Sequence, residues 1–168
     1  TPRIQVFATV PYRIHTREET ERTTTLSGVG DFSISANYTL FNTADSVSEG
    51  VKHALLIGGG IFLPTGKFMQ RDDRVVTLPA QFQLGTGAFA YSLNSNYTVR
   101  LNQWGLNLDA FAKFNEENER SYEFGNQYAA TGLVFYKIEK GTIAFLPNFG
   151  GSFEYYEKDL EFDRDKED

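Results

Sequence analysis

The stretch SLNSNYTVRLNQWGLNLDAFAKF, residues 92–114, constrains the fold more than any other part of the sequence. On both sides of a central Asn-Gln pair every second residue is apolar, which is the period of a β-strand with one apolar face. A two-residue turn at the Asn-Gln pair then sets apolar against apolar and polar against polar residues. The predicted pairs are Leu101 with Trp104, Val99 with Leu106, Tyr97 with Leu108, Tyr91 with Phe114, Asn96 with Asp109, and Ser92 with Lys113. A slip of one residue would destroy this match, so the sequence predicts one hairpin in one register.

The same alternation recurs along the chain and predicts about seven antiparallel strands. The other five segments lie near residues 4–14, 31–42, 53–63, 124–137 and 142–155. No segment has a helical period. Fifteen Phe, nine Tyr and fifteen Gly fit an all-β fold, because aromatic residues suit pleated surfaces and glycine marks turns and bends. We expect a single domain over residues 1–168.

The length of the strands and the size of their polar residues indicate what the apolar face lies against. The strands run to about 10 to 13 residues, whereas globular strands cluster near 5–6 and membrane-spanning strands need about 9–11. The polar face carries small side chains such as Ser33, Ser35, Asn37, Asn94 and Asn96 rather than long charged ones. Small polar residues suit the inner wall of a barrel.

Long, charged connections alternate with short ones. The long connections cover residues 15–28, 65–87 and 115–122, and clusters of acidic and basic residues lie in them. Aromatic residues fall near the short-turn end: Tyr38, Phe41, Trp104 and Tyr136. This pattern is typical of outer-membrane barrels of Gram-negative bacteria. The sequence therefore predicts an antiparallel up-and-down transmembrane β-barrel in the cell outer membrane, with the lipid bilayer and lipopolysaccharide as its surroundings.

Two questions remain open at this point. The same alternation would also suit a soluble β-sandwich or a lipocalin-like binding domain, in which the apolar face covers a core. In addition, a closed antiparallel bacterial barrel needs an even number of strands and no free edge. Seven strands therefore predict part of a larger barrel, incomplete at both ends or closed by another chain.

Three motifs, in order along the chain, carry a resemblance to a known family. They are Gly28-Val29-Gly30-Asp31, Leu63-Pro64-Thr65-Gly66 and Leu84-Gly85-Thr86-Gly87-Ala88. They resemble the GLGD, LPTG and PGTGS-like motifs of outer-membrane β-barrel transporters grouped with proteins of the phenol-degradation meta-pathway. The departures are Val29, Leu84 and Ala88. The stretch ATVPYR, 8–13, is similar to versions from Bacteroidetes. The resemblance implies an outer-membrane location and passage of small, hydrophobic molecules.

The glycines also have a plain structural interpretation. Those of the three motifs lie where strands meet long loops, so they are expected to permit bends rather than to hold a phosphate, which would need a following helix. Gly58, Gly59 and Gly60 lie within a strand and are expected to admit a bulky neighbour such as Phe62 or Phe135.

Several function classes are disfavoured. A net charge of −6 and a pI near 5.0 leave no basic stripe for nucleic acid, and the absence of cysteine removes thiolate metal sites. His15 and His53 belong to opposite ends of the predicted sheet, and the adjacent carboxylates Asp72–Asp73 and Glu116–Glu117 point apart. We predict no catalytic, cofactor or metal residues and therefore no enzyme. The acidic stretch 163–168 is expected to be a solvated strand tip, with lipopolysaccharide bridging through divalent ions as the alternative.

The remaining candidates are residues on the predicted inner face. The charged ones are Arg13, Asp31, Arg100, Asp109, Lys113 and Glu154, and the aromatic ones are Phe62, Phe111 and Phe135. Charges of both signs either pair across a plugged lumen or set the selectivity of a pore. Phe7, Phe41 and Leu133 are expected to point inward as well. The predicted function is a transporter or channel for small molecules; the alternative is a structural or accessory barrel bound to other outer-membrane proteins.

Overall fold

A computed structural model of the chain describes residues 3–19, 22–43, 50–68 and 78–161. The strands are β1 Ile4–Thr9, β2 Tyr12–Glu19, β3 Arg22–Val29, β4 Phe32–Asn42, β5 Lys52–Leu63, β6 Ala90–Leu101, β7 Trp104–Asn115, β8 Tyr122–Glu123, β9 Gln127–Tyr136, β10 Ile138–Lys140, β11 Ile143–Phe145, β12 Asn148–Tyr156 and β13 Leu160–Glu161. A single 3₁₀ turn, Ala80–Phe82, precedes β6. The described residues contain no α-helix, which confirms the all-β prediction. Residues 72–73 and 163–168, discussed above, lie outside the described residues.

Seven strands form one antiparallel sheet in the order β1-β4-β5-β6-β7-β9-β12. Three two-stranded sheets stand outside it: β2 with β3, β10 with β11, and β8 with β13. Within the described part of the chain, β1 pairs only with β4 and β12 only with β9, so the sheet is open. A large antiparallel sheet is present, but it is not a closed barrel. No helix of the described residues is long and apolar enough to cross a membrane.

The hairpin of β6 and β7 has the predicted register. All six predicted pairs are partners, from Leu101 with Trp104 at the turn to Tyr91 with Phe114 at the far end. The turn residue Asn102 has φ of +55°, a conformation that asparagine adopts more readily than most residues. The alternation of the sequence was therefore sufficient to define this hairpin.

The register gives the sheet two different faces. We call the side that carries Ile57, Tyr97 and Leu108 the apolar face, and the opposite side the polar face. The polar face holds one continuous row across five strands: Ser35, Gly60, Ser92, Lys113 and Gln127. On β6, Leu93 of the apolar face is 61% exposed while its neighbour Ser92 is 7% exposed. The fold thus leaves its apolar side open and covers its polar side around Ser92.

Two of the predicted strands are shorter than expected, and proline explains both. The strand near 4–14 ends at Thr9, because Pro11 cannot donate a backbone hydrogen bond, and β2 then pairs with β3 in a separate hairpin. The strand near 142–155 is divided into β11 and β12 on either side of Pro147.

The prediction that Phe41 points inward is wrong. The pairing of β4 with β5 shifts between Thr39 and Phe41, so Leu40 is an extra residue. Such a bulge turns the following side chain to the other side of the sheet. Phe41 therefore pairs with Leu55 on the apolar face, where its ring lies 5.1 Å from that of His53.

Candidate functional site

The three glycine motifs, far apart in sequence, meet around the carboxylate of Asp31. Asp31 directly precedes β4 and is 7% exposed. The backbone amide of Gly66 donates to its Oδ1 at 2.9 Å. The amide and the hydroxyl of Thr86 both donate to its Oδ2 at 2.8 Å. One carboxylate thereby ties the start of β4 to both ends of the connection between β5 and β6.

Thr65 and two glycines complete this contact. The hydroxyl of Thr65 donates to the carbonyl of Gly30 at 3.2 Å and accepts from the amide of Phe32 at 2.8 Å. A Cβ on Gly66 would lie 2.7 Å from the Cα of Gly85, so the two backbones touch. We call the group the Asp31 junction; it consists of Gly30, Asp31, Thr65, Gly66, Gly85 and Thr86.

The glycines act here mainly through close contact rather than through bends. Gly87 does have a positive φ of +71°, as a bend requires. Gly66 and Gly85, in contrast, are needed because a side chain on either would collide with backbone of the other. Resemblance to a family identified the motifs, but nothing local to any of them indicated that they pack on one another.

Residues 78–89 lie over the polar face at its long-loop end. Leu84 is 3% exposed and packs against Gly28 of β3. The side-chain amide of Asn118 donates to the carbonyl of Thr86 at 3.0 Å, and the ring of Phe82 lies 5.5 Å from that of His15. The buried apolar side chains of the described residues are those of Leu78, Leu84 and Ala88 in this segment and of Ala90, which begins β6 directly after it. The Asp31 junction holds the segment in place.

Away from the junction, side chains of the polar face hydrogen-bond to one another across strands. Asn94 donates to Asn37 at 3.0 Å across β5, and Gly58 lies between them. Asn96 donates to Asp109 at 2.6 Å, and Asn107 donates to Thr98 at 2.8 Å.

The prediction that Gly58, Gly59 and Gly60 of β5 make room for a bulky aromatic residue is wrong. A side chain on Gly58 would overlap Asn37, and one on Gly60 would lie 2.9 Å from the Cβ of Ser35. The ring of Phe135 packs over Gly105 of β7 instead. Atoms of β4 and β6, rather than aromatic rings, therefore occupy the space above the glycines of β5.

The register also locates the candidate inner-face residues. It places Phe62, Arg100, Asp109, Phe111, Lys113, Phe135 and Glu154 on the polar face. Three charged candidates come together: Arg13 lies beside Gly30, and Lys113 interacts electrostatically with both Arg13 and Asp31. The ammonium of Lys113 lies 4.7 Å from the ring centre of Phe62. Arg100 is at the other end of the sheet, and Glu154 is exposed on the edge strand β12.

A second carboxylate cluster was not identified from the sequence. Asp159 accepts hydrogen bonds from the amide of Gly125 at 2.8 Å, the side chain of Gln81 at 2.9 Å and the hydroxyl of Tyr122. Partial burial alone would raise the pKa of Asp159, but these hydrogen bonds together lower it. The cluster joins residues 34 to 78 positions apart, which no local pattern indicates.

Within the described residues, no group of three or more His, Asp or Glu side chains could hold a metal ion. His15 lies in β2 near Phe82, whereas His53 lies in β5 beside Phe41.

Comparison with protein families gives a match over most of the chain. Residues 3–158 match the model of a family described as "Putative MetA-pathway of phenol degradation". Neither curated proteins nor solved structures give a match. The matched range includes all three glycine motifs and the seven strands of the main sheet.

Proposed function

The chain belongs to the MetA-pathway phenol-degradation family, as the three motifs indicated, and from this premise we propose that it is an outer-membrane β-barrel protein through which small molecules pass. In this proposal the apolar face lies against lipid and the polar face lines the passage. The closed barrel requires further strands at the open edges of β1 and β12, because unpaired backbone groups are costly in lipid.

The exposed apolar face is the observation that carries the proposal. Its side chains include Leu93 at 61%, Phe149 at 85% and Phe153 at 64% exposure, on four neighbouring strands that also present Leu108 and Val134. Monomeric soluble proteins rarely leave an apolar patch larger than a few hundred Å² open to water. Acyl chains would cover a face of this kind without any further protein layer.

Aromatic residues mark both borders of the apolar face. At the short-turn end Trp104 and Tyr136 are partners with ring centres 4.9 Å apart. At the long-loop end Phe114 lies 6.1 Å from Tyr128, which stacks on Tyr155. From Trp104 to Phe114 the strand rises about 33 Å at 3.3 Å per residue, or about 25 Å across a bilayer at a tilt near 40°. That height matches the apolar band of outer-membrane barrels.

The polar face suits a lining that small, partly apolar molecules can contact. Its amides, hydroxyls and Asp109 are largely paired with one another, so they need not bind a passing solute. Phe62, Phe111 and Phe135 provide separated apolar surfaces among them. We expect the passage to favour small molecules with an apolar body.

Paired cysteine variants test the orientation of the sheet, because the chain has no cysteine of its own. Leu108→Cys and Asn107→Cys each introduce one thiol for labelling, on opposite faces of β7 and at nearly the same depth. In liposomes, we expect a bimane label on Cys at 108 to be quenched by doxyl lipids, and Cys at 107 to react with a water-soluble maleimide. Equal lipid quenching at both positions would contradict the proposal, as would protection of position 108 from both lipid and water.

Solute uptake distinguishes the transporter from the accessory barrel. The full protein in liposomes should admit small organic solutes faster than liposomes without protein. Lipid contact at residue 108 together with no uptake, and purification in a stoichiometric complex, would favour the accessory role instead. A protein layer covering residue 108 in a detergent-free, monomeric protein would favour the soluble binding domain.

A further inference from the structure

Two cations face each other at the short-turn end of the polar face. Lys52 of β5 and Arg100 of β6 are direct partners, and both side chains are half-buried. Like charges placed directly opposite on neighbouring strands destabilise a sheet. Their position therefore calls for a negative charge that offsets the repulsion.

No carboxylate among the described residues forms an ion pair with either cation. Glu139 interacts electrostatically with Arg100, and its carboxylate lies 2.5 Å from the ammonium of Lys137. That contact, helped by Arg100, lowers the pKa of Glu139, so it is fully ionised at neutral pH. Among the described residues, the single negative charge of Glu139 therefore does not offset the three positive charges of Lys52, Arg100 and Lys137.

A small hollow lies between the two cations and an aromatic ring. Its volume is about 120 Å³, and its lining includes Lys52, Ala54, Thr98, Arg100 and Phe135. A larger cavity of about 600 Å³ beside it shares Arg100 and is lined by Tyr136, Lys137 and Glu139. The wall of the hollow is mainly apolar, and Lys52 and Arg100 are among the residues that line it.

We propose that Lys52 and Arg100 bind the carboxylate of a small organic acid, whose apolar body packs against Phe135. The guanidinium can donate two parallel hydrogen bonds to a carboxylate, and the ammonium adds a third. The ring of Phe135 is fixed over Gly105, so the apolar wall is already formed. The role of this site in transport rests on the proposed function, in which the polar face lines a passage. Binding of the acid itself requires only the folded sheet.

Binding of benzoate to the detergent-solubilised full chain tests the site, with benzyl alcohol as its neutral counterpart. Calorimetry should detect saturable binding of benzoate and none of benzyl alcohol at the same concentrations. Arg100→Gln and Lys52→Gln should each weaken benzoate binding at least about tenfold, because each removes a charged donor. Arg100→Lys, which keeps the charge but loses the paired donors, should weaken benzoate binding less than Arg100→Gln does. Phe135→Ala should weaken benzoate but leave the weaker binding of acetate unchanged.

Lys140→Gln is the matched control, since Lys140 is an exposed cation of β10 outside the hollow. It should bind benzoate like the parent protein. Equal loss in this variant, or no loss in Arg100→Gln and Lys52→Gln, would overturn the inference. The outcome is separable from the proposed function, because lipid contact at residue 108 and solute uptake are measured without benzoate binding.

Discussion

At the scale of single residues, Asp31 was predicted as a lumen-facing charge, but it also joins three loop segments through its hydrogen bonds. Its carboxylate accepts three hydrogen bonds in a nearly dry site. Asparagine in place of Asp31 keeps one oxygen acceptor, but its NH₂ group then faces the donors of either Gly66 or Thr86. We therefore expect Asp31→Asn to lower the free energy of unfolding by about 2–3 kcal/mol, measured by urea denaturation in detergent.

Glu119→Gln is the control for that variant, since it removes the same charge from an exposed loop. It should change stability by less than about 0.5 kcal/mol. If Asp31→Asn were equally harmless, the junction would not hold the three motifs together.

Two glycines of the sheet differ sharply in their surroundings. A Cβ at Gly58 would overlap the Asn37 side chain and lie 2.7 Å from the carbonyl of Ala36, whereas Gly151 has no atom within 4 Å of such a Cβ. Gly58→Ala should therefore cost about 1–3 kcal/mol. Gly151→Ala should stabilise by about 0.4–1 kcal/mol, because alanine restricts the unfolded chain. Thermal unfolding of the two variants side by side checks both, and equal stability would refute the steric account.

At the scale of elements, the alternation of apolar and polar residues predicted the pairing of strands that are neighbours in sequence. The β6–β7 hairpin has its predicted register because pairing across a two-residue turn depends only on neighbouring residues. The bulge at Leu40 and the packing of Gly66 on Gly85 depend on partners that alternation does not reveal. The sequence could therefore mark the motifs and Asp31 as important, but not that they form one site.

The contact of β8 with β13 should depend on pH through Asp159. Its pKa is lowered in the folded protein, so its stabilising effect is complete above the unfolded value near 3.8 and is lost as the pH falls through the lower folded value. The effect should stay below about 1 kcal/mol, because solvent screens this partly exposed group. Hydrogen exchange in peptides containing Gly125 should accelerate, relative to the intrinsic rate, as the pH falls below 3.8.

Asp159→Asn provides the comparison for this effect. At neutral pH, hydrogen exchange in the Gly125 peptides of this variant should already be faster than in the parent protein. The difference in exchange rate between the two proteins should shrink in acid. An acid-induced change of equal size in both proteins would assign the pH dependence to another group.

At the scale of the whole molecule, two alternating faces can be deduced from the sequence, but closure cannot. Strand period sets which residues share a side, and the seven-stranded sheet agrees. Closure depends on whether the edges of β1 and β12 find partners, and the described residues leave those edges open. The nature of the medium beyond the apolar face is likewise a property of the surroundings rather than of the pairing.

Arginine substitutions at two depths can identify that medium. Leu108 lies near the middle of the apolar face and Leu101 lies at its short-turn border, next to the hairpin turn. In a bilayer, Leu108→Arg should cost about 2–4 kcal/mol and Leu101→Arg only about 0–1, because the penalty for a charge falls toward the interface. Asn107→Arg, on the polar face beside Leu108, should be tolerated. Unfolding in liposomes of different acyl-chain length measures all three, and thicker bilayers should increase the cost at Leu101 more than at Leu108. A cost that ignores bilayer thickness would mean that protein, rather than lipid, covers the apolar face.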